Sequence, residues 1–97
     1  MSQPPHPFSE VSIMEPIDDI TQVAEADIYR ELQDIAKAQR SLHPVGSPVY
    51  RRQAAAEMTA FATQLRSRPA IRQFFLAADQ NPDEVITQIL RRAIDSL

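Results

Sequence analysis

The sequence predicts an all-α fold, a small antiparallel helical bundle of three long helices and one short helix behind an extended N-terminal arm. Three observations carry this reading. Apolar residues recur at the helical period of 3.6 in successive segments. Prolines and the single glycine fall between those segments rather than inside them. Only Val11-Ser12-Ile13 alternates like a strand, and three residues cannot stand as a sheet. With 97 residues the chain forms one domain, expected over 17–97, and its 43% apolar content can supply a core. There is no cysteine, so neither a disulfide nor a thiolate metal site helps hold it together.

Residues 1–16 read as an extended or disordered arm. Pro4, Pro5, Pro7 and Pro16 oppose helix, and Pro4-Pro5-His6-Pro7 favours polyproline conformation. Phe8, Val11, Ile13 and Met14 make a short apolar patch within it, suited to docking in a groove or to folding over the chain's own core.

The first helix is expected from Pro16 or Asp18 to Arg40. Acids crowd its first turns, and Lys37 and Arg40 lie in its last, as the helix dipole favours. Ile17, Ile20, Ala24, Ile28, Leu32 and Ile35 fall within an arc of about 120°, one buried face, with Val23 and Tyr29 outside it. Residues 41–48 then break the pattern with two prolines and the only glycine. Ser47 is expected to cap a second helix, Pro48 to Ser67, whose inner face is Tyr50, Ala54, Met58, Phe61, Ala62 and Leu65. Pro69 turns the chain again, with Ser67 the expected cap of a short helix over about 69–79 presenting Ile71, Phe74, Phe75 and Ala78. Asn81-Pro82-Asp83-Glu84 starts the last helix, Glu84 being placed to reach back to the cap. Its apolar face, Val85, Ile86, Ile89, Leu90, Ala93, Ile94 and Leu97, covers about half the circumference.

The net charge of −3 is unevenly spread. Residues 1–35 hold eight acids and one base, Arg30, whereas from Lys37 onward nine bases, eight of them arginine, meet five acids. The simpler expectation is an acidic first helix packed along a basic remainder; the other is an external charged partner.

Catalysis finds no foothold. His6 and His43 lie in the arm and a loop, without a carboxylate pair at metal-ligand spacing. One glycine cannot build a phosphate loop, and no nucleophile elbow occurs. The expectation is a non-enzymatic protein, with no catalytic or metal residue, cofactor or small-molecule substrate inferred. No targeting segment or apolar run long enough to cross a bilayer is read in the sequence, so the cytoplasm is the expected setting.

What remains is protein–protein interaction, as a small subunit, adaptor, inhibitor or co-chaperone that binds a protein partner or itself as a homo-oligomer. Its candidate contact residues are those beyond the main stripes, Val23, Tyr29, Leu76, Val85, Ile94 and Leu97. The broad face of the last helix is equally explained by neighbours on two sides, and periodicity leaves both readings open. The alternative is an arginine-dependent nucleic-acid-binding regulator using Arg51, Arg52, Arg66, Arg68 and Arg72. A sequence pI near 5.2 and a single lysine weigh against it.

Over about a quarter of the chain, the run Phe61, Leu65, Pro69, Ile71, Phe75, Ala77-Ala78 and Pro82-Asp83-Glu84-Val85 resembles the Nif11-type leader helices of modified-peptide precursors. Those leaders start near the N-terminus and continue into a glycine-containing stretch. Here a whole helix precedes the run and no glycine follows it. The spacing also describes any short helix followed by a proline-capped one, so no function is carried over from it.

Overall fold

The computed structural model describes the backbone of residues 16–97 and the side chains from residue 20 onward. Residues 1–15 of the expected 1–16 arm and the side chain of Ile17 lie outside the described residues, and Pro16, expected to oppose helix, instead opens the first one. Four helices follow in order: α1 (Pro16–Arg40), α2 (Pro48–Ser67), α3 (Pro69–Ala77) and α4 (Pro82–Asp95). No strand occurs among the described residues. All four helices open on proline, where the missing N–H costs no hydrogen bond and the fixed φ is already helical.

Local chemistry sets most boundaries. Ser47 Oγ accepts from the Tyr50 N–H at 3.1 Å, capping α2. Gly46 has φ +86°, and a Cβ there would meet nothing within 4 Å, so backbone conformation rather than space calls for glycine. Asn81 Oδ1 accepts from the N–H groups of Asp83 and Glu84, capping α4. The Glu84 carboxylate does not return a hydrogen bond to Asn81, so the cap is one-sided. Ser67 does not cap α3. Arg68 occupies the cap position, held extended by the proline that follows, while Ser67 Oγ donates to the Gln64 carbonyl at 2.8 Å.

The short helix ends earlier than expected, at Ala77. Asp79 takes a left-handed φ of +62°; its N–H donates to the Leu76 carbonyl, and the Gln80 N–H donates to that of Phe75. This is a Schellman closure, and aspartate tolerates the conformation better than most residues. Gln80 sits where such motifs favour an apolar side chain, and its buried Oε1 has no hydrogen-bond partner. Gln80→Leu is therefore expected to stabilise the fold by about 1 kcal/mol. An unchanged urea midpoint would show that this oxygen costs nothing.

Helices α1, α2 and α4 pack against one another, and α3 packs against α2 and α4. Arg40 Nε donates to Tyr50 Oη at 3.3 Å, joining the end of α1 to the start of α2. Arg66 donates to Thr87 Oγ1 at 3.4 Å, joining the end of α2 to the start of α4. Each of these pairs is thus antiparallel. The core gathers Ile28, Leu32 and Ala36 from α1, Met58, Ala62 and Leu65 from α2, Phe75 from α3, and Ile86, Ile89, Leu90 and Ala93 from α4. Buried alanines on all three long helices let the backbones come close.

Two expectations change. The inner face of α1 runs through Thr21, Ile28, Leu32 and Ala36, turned by about 50° from the expected stripe at 3.6 residues per turn. Ile20 is consequently 54% exposed. A count of bulky apolar residues passes over threonine and alanine, which here are buried at Thr21 and Ala36. Among the described residues the acids of α1 also form no ion pair with the basic remainder. The described ion pairs are Asp27–Arg30 at 3.2 Å within α1 and Arg72–Asp83 at 2.9 Å between α3 and α4. Across the α1–α4 seam an arginine meets an aromatic ring instead, Arg92 lying 4.9 Å from the centroid of Tyr29.

Candidate functional site

Helix lengths create an overhang. With 25 residues α1 extends about 37 Å, whereas the 14 residues of α4 reach about 21 Å. The flank of α1 away from Tyr29 faces α2 from Phe61 onward and the short α3. Ile20 and Val23, three residues apart and so neighbours on that flank, are 54% and 59% exposed.

Three adjoining hollows run along this flank. The first, about 170 Å³, is almost wholly apolar and is lined by Ile20, Thr21, Phe74, Ala77 and Ala78. It shares Phe74 with a second of about 340 Å³ between α1 and the α2–α3 corner, where Ala24, Phe61 and Ile71 supply apolar surface. Asp27, Glu31 and Arg68 stand around that second hollow. It shares Glu31 and Phe61 with a third of about 380 Å³, lined also by Asp34, Ile35 and Ala38. Together they form one groove, about 27 Å long from Ile20 to Ala38 at 1.5 Å per residue.

The floor is anchored from below. Phe74 and Phe75 are adjacent on α3, one half-buried at the groove and the other fully buried in the core. Their rings meet edge to face, 5.1 Å apart at 84°. The two edges differ in charge. Asp27, Glu31 and Asp34 follow one another along α1, and Arg68 stands at the α2–α3 corner. Among the described residues Glu31, Asp34 and Arg68 enter no ion pair.

None of the residues expected to contact a partner lines this groove; Val23 is exposed one helical turn from the lining residues Ile20 and Asp27. Tyr29 lies on the other flank of α1, under Arg92. Val85, Ile94 and Leu97 are partly buried against the core, so the broad face of α4 is packed by neighbours on two sides. Leu76 is 57% exposed and borders a separate hollow at the α3–α4 turn. Ile20, Phe61, Ile71 and Phe74 were assigned from periodicity to inner faces. The mismatch in helix lengths is the signal that could have moved them to the groove.

The arginines fall into two groups, Arg66, Arg68 and Arg72 together at the α2–α3 corner and Arg51 and Arg52 at the other end of α2. Arg66 is occupied by Thr87 and Thr63, and Arg72 by the Arg66 carbonyl and Asp83. Arg51 and Arg52 are exposed in the first turns of α2, with Arg51 about 22 Å along the helix from Arg66. Among the described residues no three His, Cys, Asp or Glu side chains are grouped to hold a metal ion, and no helix is long and apolar enough to cross a membrane.

These features define an all-helical bundle of three long helices and one short one, bearing an apolar groove with unlike edges. No family model, curated protein or solved structure matches the chain.

Proposed function

We propose that this chain is a non-enzymatic protein–protein interaction module, a small subunit, adaptor, inhibitor or co-chaperone, that buries a partner's apolar side chains in the groove along α1, α2 and α3. The observation that carries the reading is Ile20, more than half exposed on the wall of an apolar cleft floored by Phe74, with the exposed Val23 one helical turn away. Covering the exposed half of one such side chain is worth about 1–1.5 kcal/mol, so several anchors together are needed for specific binding. A second copy of the chain is one candidate partner. The cytoplasm is the setting we take for it, which the lack of cysteine suits.

A photoreactive amino acid placed at Val23, and separately at the exposed Arg91 of α4, tests the reading in cells expressing the protein. Discrete protein adducts are expected from position 23 and not from position 91. The same faint adducts from both positions would sink it. Adducts to nucleic acid from position 51 or 68, with none to protein, would favour the arginine-dependent alternative.

A further inference from the structure

We propose that the groove receives a partner's amphipathic α-helix carrying lysine or arginine along one flank. The inference rests on the interaction reading and adds the chemistry of the occupant. A groove about 27 Å long matches five turns of helix, and its apolar residues follow from hollow to hollow, Ile20 and Phe74 in the first and Phe61 in the next two, as successive anchors on one helix face would require.

Charge then sets the partner's flank. Asp27, Glu31 and Asp34 stand at i, i+4 and i+7 along α1, so they line one edge of the groove. Asp27 is offset by Arg30 at 3.2 Å, but Glu31 and Asp34 are left to a partner. Bases on the incoming helix would meet this edge, and an acid would meet Arg68 opposite. A second copy offers no matching helix among the described residues. The apolar face of α4 is buried in its own bundle, and Arg66 and Arg72 are engaged within the chain.

The test uses three synthetic 18-residue helices with the same leucine stripe, flanked by lysine, glutamine or glutamate. Binding to the full chain is followed by fluorescence anisotropy at low salt. The lysine helix is expected to bind about tenfold more tightly than the glutamine helix, and the glutamate helix more weakly than either. Glu31→Lys with Asp34→Lys is expected to invert that order, which loss of folding could not do. Glu84→Lys with Asp95→Lys, the same charge change on α4, should leave the order intact; an inversion there would reduce the effect to net charge and overturn the proposal. Equal binding of all three helices would remove the charge inference while leaving the interaction reading in place. No binding by any helix, with the position-23 adducts still forming, would overturn the helical occupant. So would helix binding seen only after Phe8→Glu, which would assign the groove to residues 1–15, or a dimer dissolved by Glu31→Lys, which would assign it to a second copy.

Discussion

Phe75→Ala is expected to cost about 3–5 kcal/mol and to lower the midpoint of thermal unfolding by about 15–30 °C. Phe75 is fully buried and is the only member of α3 in the central core cluster. Its removal withdraws the ring that packs edge-on against Phe74 and leaves a cavity between α3 and the long helices. A domain of this size has about 5–15 kcal/mol in total, so much of its stability would go. The consequence reaches the groove, because α3 presents Phe74 and Ala77 to Ile20. Far-ultraviolet circular dichroism during heating checks the prediction, with Phe75→Leu as the milder comparison. A loss below about 1 kcal/mol would mean that α3 is fastened by something other than this ring.

Ile94→Glu and Val23→Glu are expected to part company, although periodicity treats both residues as apolar surplus. Ile94 packs against the core cluster, and a carboxylate there must be desolvated or must prise the helices apart. A cost of about 2–3 kcal/mol follows. Val23 is 59% exposed, so its replacement is expected to change stability by no more than about 0.5 kcal/mol. Urea titration of the two variants measures the difference, and crosslinking from a neighbouring groove position reads the effect on partner capture. Capture should fall with Val23→Glu while helicity holds. If Val23→Glu unfolds the chain instead, the flank of α1 is core and the groove reading fails. If Ile94→Glu is harmless, the face of α4 regains its claim as an interface.

The helices themselves were legible because their boundaries are decided within about four residues. Pro48 and Pro82 preset φ at the first helical position, and Ser47 and Asn81 reach N–H groups two or three residues on. The same local scale accounts for two misses. The proline at 69 leaves Arg68, not Ser67, at the cap position, and the left-handed Asp79 closes α3 early where glycine would have announced the turn.

Sequence periodicity by itself determined that each helix has an apolar side, and hence that the chain is an all-helical bundle. It did not determine how wide a side its neighbours would cover. That depends on helix lengths and on how far small residues let the axes approach, both properties of the assembled chain. The broad face of α4 is covered because α1 and α2 flank it, while Ile20 on a narrower stripe is left out because α3 is short and Thr21 and Ala36 turn α1 inward. The acids of α1 likewise could have faced the basic remainder. Packing set Asp27, Glu31 and Asp34 along an open edge, across a hollow from Arg68 but in no ion pair with it, since burying apolar area outweighs exposed ion pairs in choosing the rotation of a helix.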